Sequence, residues 1–172
     1  MLKNAKIYEE EIKVAMREYW YDLRHQYVCG WCGCQDFNVG ESNYEAHTFA
    51  SIDPETGKLL GAIGYNVDWA SKSASGFFAE TLVDGGSVIF AQDILQVIDD
   101  IFRKYHFNRI DWNCWSDNPT IRSYRKLCKR FGGREVGTLK RKGRLIDGFL
   151  HDSTIFELLS EDYLSHVEEN NE

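Results

Sequence analysis

The stretch ETLVDGGSVIFAQDIL, Glu80 to Leu95, places Gly85 and Gly86 where strand-forming residues give way to helix-forming ones. A glycine turn that feeds a helix N-terminus gathers free backbone N–H groups and the positive end of the helix dipole, and together these hold phosphate. Gly85, Gly86, Ser87 and Val88 are therefore candidate anion ligands through their backbone, and Ser87 also reads as the helix N-cap. Phosphate cradles of this kind usually carry further glycines, whereas here Val88, Ile89 and Phe90 follow. A side chain facing the ligand at 88 or 90 would hold it beyond hydrogen-bond range; side chains turned to the core would leave the cradle intact. The stretch is either a weakened phosphate site or a turn that binds nothing.

A second cluster is HQYVCGWCGC, with His25, Cys29, Cys32 and Cys34 close together. Thiolates and imidazole suit tetrahedral zinc, but a zinc site usually draws two ligand pairs from separated segments, and no second pair follows. These read first as ordinary reduced cysteines with no metal, the alternatives being a structural metal site and redox-active thiols. Cys114 and Cys128 alternate with core residues and read as buried thiols. Five cysteines, an odd number, in a chain without a secretory signal argue against a disulfide framework. The charged N-terminus and the lack of any apolar stretch near the roughly 20 residues that cross a membrane give a cytoplasmic expectation.

The net charge of −7 hides an asymmetry. Arg122 to Arg144 carries ten of the twenty Lys and Arg residues and a single acid, Glu135, so this segment is +9 and the rest −16. A basic face beside an acidic body can hold an anionic cofactor in one place and attract a cationic substrate in another; a solvated charged helix and hairpin gives the same count.

The elements that would position these residues follow from periodicity. Apolar residues at helical spacing (Ile12, Ala15, Met16, Tyr19, Trp20, Leu23) predict an amphipathic helix over 7–24. AHTFASID, LLGAIGYNVDW and SGFFAETLV read as strands, joined by polar turns. Ala91, Ile94, Ile98, Ile101, Phe102 and Tyr105 form one face of a helix predicted over 87–106. NRIDWNCW alternates as a strand, Pro119 opens a helix, Gly132-Gly133 ends it, and REVGTLKRK and STIFELL read as closing strands. At 172 residues this is one α/β domain with a mixed sheet: a helical lead-in over 1–46, a core over 47–164 and a frayed tail over 165–172.

This order, with the stretches IFRKYHFNRIDWNCWSDNPTIRSYRKL and GREVGTLKRKGRLIDGFLHDSTIFELLSEDY, resembles the GNAT superfamily of acyl-CoA N-acyltransferases. The second stretch is similar to the closing segment of the ribosomal-protein alanine and spermidine acetyltransferase branch. The resemblance covers roughly residues 48–163 and implies a GNAT-like mixed central sheet flanked by helices, here with a helical N-terminus. Three positions depart from the family's cofactor loop: Gly85, Val88 and Phe90 stand where it has Gln or Arg, Gly, and Gly or Ala. The family's first strand is not visible, and Tyr124 follows Asn118 one residue sooner than usual.

The resemblance implies transfer of an acetyl group from acetyl-CoA to an amine, by direct attack in a ternary complex. The acceptor is a small cationic amine or a protein N-terminus. Glu80 is then the base that takes the ammonium proton, and Tyr124 the acid that protonates the departing thiolate. A backbone N–H near Leu82 or Val83 meets the developing oxyanion. Gly85 to Val88 cradle the pyrophosphate, Arg122 and Arg125 add charge, and Asn118 holds the pantetheine or caps its helix. The competing expectation is a catalytically degenerate GNAT-fold binding or regulatory module. A nucleic-acid surface on the basic segment fits poorly with the net charge, no membrane partner is implied, and exposed strand edges leave a homodimer open.

Overall fold

The computed structural model describes residues 1–20, 22–29 and 39–169. Its strands are β1 (Leu2–Asn4), β2 (Ala46–Ile52), β3 (Leu59–Asp68), β4 (Ser73–Thr81), β5 (Arg109–Trp115), β6 (Arg134–Arg144) and β7 (Leu150–Leu159). Its helices are α1 (Glu9–Tyr19), α2 (Gln26–Cys29), α3 (Val88–Asp99), α4 (Ile121–Phe131) and α5 (Ser160–Glu169). The strands form one seven-stranded sheet in the order β1-β2-β3-β4-β5-β7-β6. Every neighbouring pair is antiparallel except β4 and β5, which are parallel. The expected mixed α/β sheet with a helical N-terminus is therefore present, although a three-residue strand precedes the first helix and pairs with β2. No described helix is long and apolar enough to cross a membrane.

Two apolar cores sit on opposite faces of the sheet. Ile12 and Met16 of α1 pack with Ala50, Ile52, Ala62 and Leu82 on one face. On the other, α3 and α4 pack Val97, Ile98, Ile121 and Cys128 against Ile63, Phe77, Ile110, Trp112 and Phe156. α3 continues into a wider turn, Asp100–Lys104, which buries Ile101 and Phe102. Its stop at His106 uses a left-handed backbone, φ 53°. α4 starts where Asn118 Oδ1 accepts the Thr120 N–H at 2.9 Å. It ends at Gly132, φ 77°, where a Cβ would come within 2.8 Å of His166 and 2.9 Å of Asp162 on α5. α5 occupies much of the segment expected to be a frayed tail. It is held by Tyr163, whose buried ring lies 5.0 Å from Phe102 and 5.1 Å from Phe131 and whose hydroxyl donates to Asp99.

The sheet departs from regular pairing between β4 and β5. Their ladder consists of Ser73↔Arg109 and Ala74↔Ile110 and then stops. Just beyond, Gly76 (φ 59°) lies at a register shift in which β4 carries an extra residue opposite Tyr65 of β3. A bulge bends its strand and increases local twist. β4 thereby leaves β5, and the sheet opens into a V whose closed end is Ala74↔Ile110.

Candidate active site

The open gap exposes backbone that would otherwise be paired. The Leu82 N–H donates to Leu60 O at 2.9 Å, so in this antiparallel ladder Glu80 and Leu82 turn their polar groups toward β3. Alternation turns the N–H groups of Ala79 and Thr81 the other way, into the gap, where β5 offers no ladder partner. Of the two residues expected to supply an oxyanion donor, Leu82 thus has its N–H engaged. Val83, half-buried at the rim, has no backbone partner among the described residues. The donors aimed into the gap are those of Ala79 and Thr81, which the amino-acid types did not reveal.

Glu80 lies opposite Ala62, which faces the α1 core. No described residue hydrogen-bonds or ion-pairs with its carboxylate, and burial pushes the carboxyl up to about 8. Tyr124, on α4, packs its ring 5.7 Å from Trp112 and 5.9 Å from Phe156. Burial, and then the charge of Glu80, raise its hydroxyl well above the ordinary tyrosine value, so it stays protonated. Cys114 of β5 feels the same two influences and is pushed up to about 12, which keeps it a thiol. The charge of Glu80, on the α1 face of β4, thus reaches Tyr124 and Cys114 in the opposite core across the gap.

At the open end of the gap lies the glycine turn. Gly85 and Gly86 both have φ 76°, and no atom lies within 4 Å of where a Cβ would stand on either. Ser87 caps α3, its hydroxyl accepting the Phe90 N–H at 3.3 Å. Phe90 turns into the core, 6% exposed, and its ring fills the space that Gly61 leaves by lacking a Cβ. Val88 does the opposite and is 76% exposed, so the condition for an intact cradle, both side chains turned to the core, is met at residue 90 and not at residue 88. The backbone N–H groups of 85–89 have no backbone partner among the described residues. Turn and gap together present anion donors at one end and unpaired strand donors along the gap. Asn118 is committed to its own helix start through Thr120. Arg125 is paired with Glu135, 2.5 Å away, whereas Arg122 on the first turn of α4 is exposed.

A third group was not foreseen. His151 of β7 is hydrogen-bonded to Asp117 at 2.6 Å and to Asp147 at 2.9 Å, with Tyr27 of α2 edge-on at 6.4 Å. Burial opposes its charged form, but the hydrogen bonds to Asp147 and Asp117 outweigh that and raise its pKa. The cluster ties the start of α4 to the loop after β6 and to α2. His25 stacks on Tyr19 at 3.7 Å, while the side chain of Cys29 and all of Cys32 and Cys34 lie outside the described residues.

No family model and no curated protein sequence matches the chain. Solved structures do. Spermidine/spermine N-acetyltransferase SpeG from Vibrio cholerae, in complex with manganese ions, is similar at 20% identity and a TM-score of 0.61, over 72% of this chain and 70% of that one. Mutant forms of the same Vibrio cholerae enzyme give 20% and 0.62, over 72% of both chains. A chimera of that enzyme with hSSAT gives 20% and 0.59, over 70% and 71%. With its parallel β4–β5 pair opening into a V and α3 rising from a glycine turn at the mouth, this chain has the GNAT fold.

Proposed function

We propose that this chain transfers an acetyl group from acetyl-CoA to an amine by direct attack in a ternary complex. The observation that carries the reading is the opened β4–β5 gap, with unpaired strand N–H groups along it and a glycine turn at its mouth, Glu80 lying on one face and Tyr124 on the other. The structural neighbours that acetylate spermidine support an amine as acceptor.

Each residue then has a task. Glu80 takes the proton from the ammonium group, which frees the nitrogen lone pair to attack the thioester carbonyl carbon. The N–H of Thr81 or Ala79 meets the oxygen as negative charge develops on it. When the carbon–sulfur bond breaks, Tyr124 gives its proton to the leaving sulfur and recovers one from solvent, the nitrogen gives up its second proton to solvent to become the amide, and Glu80 releases the proton it took. The N–H groups of 85–89 and Arg122 hold the phosphates. Val88 stands exposed at the turn, so the phosphates approach from the glycine side.

The test is release of free thiol from acetyl-CoA in the presence of a panel of small polyamines, monoamines and peptides with free N-termini. Amine-dependent release that is lost in Glu80→Gln supports the reading. Release unaffected by that substitution removes Glu80 from the mechanism.

A further inference from the structure

Residues 22–29 cross the line of the open gap on the face of the sheet that carries Glu80. At one end Asp22, Arg24 and His25 share a cavity of about 340 Å³ with Leu82, Val83 and Asp84, which follow β4. Val28 packs on the α1 core, which includes Ala62, the ladder partner of Glu80. At the other end Tyr27 lies edge-on to His151 of β7 at 6.4 Å, and its hydroxyl shares a hydrogen bond with Asp117, which follows β5. His151 stands on the same face, because Trp115, packed against it at 6.4 Å, alternates with Cys114 of the opposite core. The segment thus touches both arms of the V.

Its fastening on β7 depends on a proton. His151 Nδ1 lies 2.6 Å from Asp117 Oδ2, and Nε2 lies 2.9 Å from Asp147 Oδ2. An ionised carboxylate only accepts, so both ring nitrogens must donate, and a neutral imidazole has one N–H to give. The ring holds both carboxylates only as the imidazolium, in line with its raised pKa. Among the described residues, Asp117, Asp147 and Tyr27 are the titratable groups that face it; β5 presents Trp115, and β6 presents Gly143.

We propose that residues 22–29 are a strap across the gap, fastened at the β7 end while His151 carries both ring protons and released when one is lost. The neutral ring keeps Asp147, which also accepts the Phe149 N–H at 2.9 Å and is held in place by its own turn. Asp117 has a side chain 50% exposed, so water readily replaces the ring there. As Asp117 turns to solvent, Tyr27 loses its partner and the strap its far anchor, which opens the Glu80 side of the gap. The strap is fastened on the acid side and released as pH rises. This device does not depend on the acyltransferase reading, since it concerns access to that face whatever binds there.

The test is amide hydrogen exchange of the full chain near pH 6 and pH 9, read by mass spectrometry and corrected for the intrinsic effect of pH on exchange. Wild type should lose protection over 22–29 by about tenfold or more, the change that one pH unit of displacement supplies, while α3 keeps its protection. In His151→Asn the strap should be unprotected at both. Asp147→Asn reverses the requirement: its amide donates to Nε2, so a neutral ring still donates to Asp117, and protection over 22–29 should persist at pH 9. Protection over 22–29 that stays constant with pH in wild type would overturn the inference. So would an Asp147→Asn chain that follows wild type, or exchange that rises equally in α3, which is unfolding rather than release of a strap.

Discussion

Replacing Glu80 by Gln separates what its burial does to stability from what it does for chemistry. In the folded chain burial lifts the carboxyl from 4.5 to about 8. Between those values the native state keeps a proton that the unfolded chain has already released. Stability from this group is therefore full below pH 4.5, declines as pH rises, and levels off above about 8. At about 1.4 kcal/mol for each pH unit of displacement, the decline is at most about 5 kcal/mol, and less because Glu80 is only half-buried. Gln has the same shape and no charge, so Glu80→Gln lacks this slope. The assay is urea unfolding of both chains near pH 5, 7 and 9, compared at each pH so that Asp22, His151 and every other titrating group cancel. The two chains should be close in stability at the lowest pH, and the variant should lead measurably at the highest. Acetyl transfer should show the reverse: wild-type activity climbing toward pH 8 and the variant low throughout. A stability difference that stays constant with pH would refute the assignment of a buried, proton-holding carboxyl at residue 80.

Three further outcomes follow from the same geometry. Tyr124→Phe keeps the ring against Trp112 and Phe156 and removes the acid, so turnover should fall by about 10²-fold or more with acetyl-CoA affinity retained; unchanged turnover would dismiss Tyr124. Gly61→Ala would put a Cβ 2.5 Å from the Phe90 ring and 2.6 Å from Glu80 O, so thermal unfolding should show a loss of about 1–3 kcal/mol and weaker acetyl-CoA binding, because Phe90 anchors the glycine turn. His151, with its raised pKa, stabilises the fold fully below pH 6.5, and the contribution is lost as pH rises through the higher folded value. His151→Asn should therefore destabilise the chain more at pH 6 than at pH 9, and an equal loss at both would contradict the charged pairing with Asp117 and Asp147.

Periodicity made the long elements legible. The faces of α3 and α4 and the alternation of β5 are written in short-range spacing, as are Pro119 and Gly132 at the ends of α4. β1 was missed because three residues cannot display a period of two, and it exists only through its pairing with β2. Which way Phe90 turns was open in the sequence, because the answer lies on another strand. Phe90 turns inward only where Gly61 leaves room for its ring. The opening of β4 from β5 depends on the Gly76 bulge against β3, a long-range register that no local window contains. The Ala79 and Thr81 donors were invisible for the same reason: backbone direction is a property of the ladder rather than of the side chains. His151 draws its partners from residues 27, 117 and 147, which only the fold brings together. Glu80 and Tyr124 were named from the resemblance, and what the structure adds is their environment.

That the opened gap and its glycine turn hold an acyl-CoA is tested most directly by thermal unfolding with and without acetyl-CoA, using ATP as the control anion. A ligand at 100 times its dissociation constant adds about 2.7 kcal/mol, a readily measured rise in the unfolding midpoint. A rise with acetyl-CoA that ATP does not reproduce is the predicted result. An unmoved midpoint at millimolar acetyl-CoA would contradict it and leave the turn at Gly85-Gly86 a structural one.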